Sequence, residues 1–140
     1  MSDANTQLQT VIDSTDDVIS AFGTSRQRNE EATAVAERAK DETRASAMAT
    51  DQAGNGMDDV LDSIAGLRQS VGTETPQVLF SLADSVVEYV REALESYRAA
   101  EDELEQALVR LKSAHEATER ATQQAHKLNE EARDYLGRLQ

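Results

Sequence analysis

The stretch "SVGTETPQVL", Ser70 to Leu79, decides how this chain is put together: it holds the only proline, Pro76, and lies near the midpoint of 140 residues. Gly72 suits a left-handed C-terminal helix cap, Thr75 a helix N-cap, and Pro76 the first helical position, where its missing N–H is no loss. Only Thr73 and Glu74 then remain between two helices. So short a connection makes the flanking helices antiparallel neighbours, and the corner at 72–75 joins two arms of one domain spanning 1–140.

C-terminal to the corner, no Gly or further Pro interrupts the chain up to Leu136, and the spacing predicts one long helix over 76–138. Its apolar residues fall in two rows with a seven-residue repeat. The first reads Leu79, Val86, Ala93, Ala100, Ala107, Ala114, Ala121, Leu128 and Tyr135. The second reads Ala83, Val90, Tyr97, Leu104, Leu111, Thr118, Ala125, Ala132 and Leu139. Only Thr118 is not apolar, the pattern of a coiled-coil seam. The five alanines from Ala93 to Ala121 let a partner helix come close, while burying little area.

N-terminal to the corner the pattern is also helical but less regular. Leu8, Val11, Ile12, Val18, Ile19 and Phe22 form one stripe, and Ala32, Val35, Ala36 and Ala39 a second. Between them "TSRQRNEE", residues 24–31, has nothing apolar and fits either a capped helix restart or a solvated stretch of one continuing helix. The glycines of "AGNGMDD", residues 53–59, predict a break at 54–56. The expected layout is therefore a helical arm over 3–53 and a short helix over 57–71, in which Met57, Val60, Ile64, Leu67 and Val71 keep a three-four spacing. The fold class is all-α, an elongated helical hairpin or three-helix bundle with coiled-coil-like, Ala-rich packing.

Composition narrows the function classes. With no Trp, two Phe and three Tyr, there are few large side chains for a wide core. The absence of cysteine excludes disulfides and thiol chemistry. Six basic residues face fourteen acidic ones before Pro76, and eight face thirteen from Pro76 onward, for a net charge of −13. Neither half offers a cationic face to phosphates, so the reading expects no nucleic-acid partner. It expects no membrane insertion, no cleaved signal peptide and a cytoplasmic protein, since no apolar run is long enough for either segment.

Few residues could carry chemistry. His115 opens "HEATE", which matches the zinc motif HExxH until Glu119 stands where the second imidazole is required. His115 with Glu119, and His126 with Glu130, read as solvated pairs one helical turn apart. "EDELE", Glu101 to Glu105, reads as a solvated face around Leu104. No catalytic, metal or cofactor residue is expected, and a helical metal-dependent enzyme is the remote alternative. The main expectation is a non-enzymatic helical interaction protein that forms a homo-oligomer or pairs with a helical protein partner.

Two helical runs joined at a midpoint corner, in a small, acidic, cysteine-free chain, resemble the WXG100 family of type VII secretion substrates. "VGT" is loosely comparable with that family's Trp-x-Gly turn, although the Trp is absent. Tyr97-Arg98-Ala99-Ala100-Glu101 matches its Tyr-x-x-x-Asp/Glu export pattern. The resemblance implies a secreted substrate, or an adaptor or chaperone for a secreted toxin, leaving the cell folded without a cleaved signal peptide, with Tyr97 and Glu101 as export motif. Periodicity also makes Tyr97 a seam residue.

Overall fold

The computed structural model describes residues 2–71 and 75–140, with the side chains of 3–70 and 77–140. They form two α-helices, α1 over Ser2–Val71 and α2 over Thr75–Leu139, with no strand among the described residues. The chain is all-α and forms a helical hairpin; a three-helix bundle is not supported. The expected break at 54–56 lies inside α1, as does the expected separate helix over 57–71, and residues 24–31 continue the same helix. The long helix expected over 76–138 is α2 with one more residue at each end. Gly72 and the capping arrangement expected at the corner lie outside the described residues, as do the side chains of Thr75 and Pro76.

The burial pattern explains why α1 does not break. From Asn5 to Phe22, and again from Asn29 to Ile64, its covered residues recur mostly at steps of three and four, among them Ile12, Thr15, Phe22, Ala36, Thr43, Thr50, Met57, Leu61 and Ile64, while residues 23–28 between the two series are exposed. Gly54 is half-buried in this series, and a Cβ built there would come 3.0 Å from Val90 Cγ1. The glycine therefore lets the two helices approach. Each interior glycine costs about 1 kcal/mol of helix propensity relative to Ala, an amount that burial of the neighbouring Met57, Leu61 and Ile64 offsets.

Two compact units divide the chain, Met1–Ala36 with Ala107–Gln140 and Glu37–Gln106. Each takes a segment from both helices, so neither arm is a unit by itself. In the first, Asn129 bonds Ile12 and Thr15, while Asn29 bonds Leu111. In the second, Arg44 bonds Glu101, and Gly54 meets Val90. Within each unit a higher number on α1 goes with a lower number on α2, so the paired segments are antiparallel.

The seam on α2 differs from the expected one by one row. The row from Ala83 through Val90, Tyr97, Leu104, Leu111, Thr118 and Ala125 to Ala132 is buried or half-buried, as expected, and only Leu139 at its end is exposed. In the Ala93 row, Ala93, Ala100, Ala107 and Ala121 are half-buried, but Leu79, Val86, Ala114, Leu128 and Tyr135 are exposed. The second covered row is instead Val87, Leu94, Glu101, Leu108, His115, Thr122, Asn129 and Leu136. At 3.6 residues per turn a step of four turns about 40° around the helix, whereas a step of three falls short of a full turn by about 60°. The row four residues beyond Ala83 thus lies closer to the contact line than the row three beyond it. On α1, Val18, Val35, Val60 and Leu67 are likewise exposed rather than packed.

The two glycines predict different responses to the same substitution. Gly56 has nothing within 4 Å of a built Cβ, so Gly56→Ala is expected to stabilise the fold by about 1 kcal/mol through helix propensity. Gly54→Ala gains the same propensity but presses on Val90, and its effect is expected to be less favourable. Urea unfolding should show that difference shrink in a Val90→Ala background. Equal effects at both positions in the wild-type background would refute close packing at Gly54.

Candidate functional site

The first unit has polar groups built into its seam. Asn129 and Thr15 are only 8% and 7% exposed. The Asn129 amide Nδ2 donates to Thr15 Oγ1 at 2.7 Å, to Asp16 Oδ1 at 3.0 Å and to the Ile12 carbonyl at 3.2 Å. Arg133 Nε donates to Asn129 Oδ1 at 2.8 Å, and its guanidinium also reaches Asp16 Oδ2 at 3.2 Å. Thr15 Oγ1 in turn donates to the Val11 carbonyl at 2.8 Å. A one-step slip of either helix would take the buried Asn129 amide away from its partners on α1, at about 1–3 kcal/mol for a buried polar group left unpaired. The cluster is a register lock.

His115 does not assemble a metal site. Its Nε2 lies 3.9 Å from Glu119 Oε1, and the same oxygen is 3.2 Å from Arg26 Nε on the other helix. His126 and Glu130 are exposed. Among the described residues no group of three or more His, Asp or Glu side chains could hold a metal ion. Among the described residues no helix is long and apolar enough to cross a membrane. Tyr97 is half-buried in the seam, and Glu101 accepts from Arg44 Nη2 at 2.7 Å and Nε at 3.1 Å. The two residues expected as an export motif are thus engaged in the hairpin of the second unit.

That hairpin has two unlike flanks. One is charged: Lys40 pairs with Glu105, Arg44 pairs with Glu101, and Asp51, Arg91, Glu95 and Arg98 rim a shallow groove over Gly54 and Val90. These contacts place the α1 residues Asp51 and Arg44 and the α2 residues Arg91 and Arg98 on one side. In an antiparallel helix pair the rows flanking the seam on the other side also come from both helices. They are Val60 and Leu67 from α1, with Leu79 and Val86 from α2, all about two-fifths exposed. Leu82 and Tyr89 extend this flank outward at 61% and 68% exposure. Neither of its rows carries a charge between Ala49 and Ser70 or between Leu79 and Ala100; Glu42 and Glu103 are where charge returns.

The apolar character of Leu79, Val86 and Ala93 is legible in the sequence, where the seven-residue repeat assigns them to the seam. The missed signal was their placement on a flank, which follows once Glu101, His115, Thr122 and Asn129 take seam positions. No family model, curated protein or solved structure matches this chain.

The charged flank makes a pH prediction. The hydrogen bond from Lys40, and then its positive charge, hold the Glu105 carboxyl below its ordinary value of 4.5, while Arg44 is raised by the hydrogen bond and charge of Glu101. A carboxyl lowered in the folded state contributes stability that is fully present above its unfolded value and is lost as pH falls through the folded one. Glu105→Gln is therefore expected to lower the urea midpoint at pH 7, with the difference from wild type fading as pH falls below 4.5. A difference undiminished in acid would assign the effect to something other than the ion pair.

Proposed function

We propose that the chain is a non-enzymatic, helix-based protein-binding module, and that its binding side is the uncharged flank of the second unit. The observation that carries this is the exposure of Leu82, Tyr89, Val86 and Val60 on a surface without charged residues, in a protein with net charge −13. A solvated helix face ordinarily carries charged residues opposite its apolar stripe. Here one flank carries cross-helix ion pairs and the other is free of charge between Ala49 and Ser70 and between Leu79 and Ala100, as expected for a surface that another helical surface covers. Within the second unit, the cross-helix pairs Lys40–Glu105 and Arg44–Glu101 support the reading by holding the charged residues on the opposite flank.

Export as a type VII-like substrate or adaptor is the second reading, supported by the helical hairpin and the Tyr97 to Glu101 spacing. It ranks lower because a motif read by a secretion receptor needs accessible side chains, and these two are half-buried, with Glu101 held by Arg44.

Capture experiments test the first reading. Tagged wild-type chain, co-expressed with a differently tagged copy in native cells, is expected to retain a protein that Leu82→Glu/Tyr89→Glu loses, while circular dichroism shows unchanged helicity. Identical captured proteins on both baits would contradict the assigned binding side.

A further inference from the structure

We infer that the uncharged flank of the second unit binds a second copy of this chain, with the two hairpins stacked face to face and running in opposite directions. The inference rests on the protein-binding reading above and names its partner. Size along the flank supplies the argument. Toward the corner it carries the large side chains Val60, Leu67, Leu79, Leu82 and Val86, with Ser63 and Ser70 among them. Away from the corner its side chains are small: Ala53, Ala93, Ser96 and Ala100. Tyr89 lies between. A two-fold axis in the interface, perpendicular to the helices and level with Tyr89, sets the bulky end of each copy on the small end of the other. The surface is then self-complementary, as an isologous interface requires. The same-direction alternative stacks bulky on bulky and leaves the alanine ends apart.

Charge points the same way. Two copies at −13 each repel, so a stable pair has to keep its contact surface free of carboxylates. This flank does so over 22 residues of each helix. At 1.5 Å per residue and two helices wide, it measures roughly 33 Å by 20 Å, or about 650 Å² per copy. A standard interface takes about 800 Å² from each partner. The flank is of the right order to hold a dimer, and the charged flanks of both copies remain in solvent.

Light scattering on the full chain is expected to give twice the 15.3 kDa chain mass. Leu82→Glu should raise the dimer dissociation constant at least a hundredfold with helicity unchanged, because Leu82 is 61% exposed in the single chain. Direction is read by cross-linking, which the absence of native cysteine makes unambiguous. Tyr89→Cys copies should oxidise to a disulfide with one another. Leu82→Cys copies should cross-link to Ser96→Cys copies but not to themselves. A wild-type monomer at all concentrations overturns the proposal: if native cells then yield a different partner lost in Leu82→Glu, the protein-binding reading survives, and if they yield none, both fall. A dimer insensitive to Leu82→Glu, or self-cross-linking at position 82 and not at 89, also overturns it.

Discussion

The structure depends on close approach of two helices whose facing side chains are mostly small or polar. The buried apolar residues among those described are Ile12, Ala36, Ile64, Ala83 and Ala132, two isoleucines and three alanines. Burial scaled at about 25 cal/mol per Å² gives alanine little to contribute beyond contact. What small residues do allow is backbone proximity, shown most clearly where Gly54 leaves room for Val90. Dispersion contacts along such a seam are individually weak and collectively substantial. Their sum depends on both helices remaining continuous.

A seam of this kind has weak preference for any one register, since one alanine fits against the helix much like another. The polar cluster of Thr15, Asp16, Asn129 and Arg133 supplies the discrimination in the first unit, because its hydrogen bonds exist in one alignment alone. Asn29, donating to the Leu111 carbonyl at 3.0 Å, repeats the device. In the second unit Lys40 with Glu105 and Arg44 with Glu101 cross between the helices on the charged flank. Such exposed pairs are screened by salt and add more to alignment than to stability. The opposite flank carries no charge between Ala49 and Ser70 or between Leu79 and Ala100, and its large side chains stay exposed.

The helices themselves were legible because period 3.6 shows through even in an alanine-rich chain, and Pro76 marked the second start. The row from Ala83 to Ala132 was also legible, being nearly all apolar. The row from Val87 to Leu136 was not, because Glu101, His115, Thr122 and Asn129 read as surface residues when no partner is in view. The covered row of α1 was hidden for the same reason, with Asn29, Thr33, Lys40 and Thr43 among its members. Gly54 and Gly56 suggested a break through local propensity, and tertiary contact with Val90 gave Gly54 the opposite meaning. The apolar flank was visible as composition, but its position could be assigned only after the polar seam was known.

Amide hydrogen exchange across residues 50–64 tests the central claim, that α1 passes through its glycines as a continuous helix packed on α2. The account predicts that the amides of Gly54 to Leu61 are protected to the same degree as those of Thr50 and Ile64. Exchange near the intrinsic rate at 54–57, with protection on both sides, would contradict it and restore a hinge at the glycines.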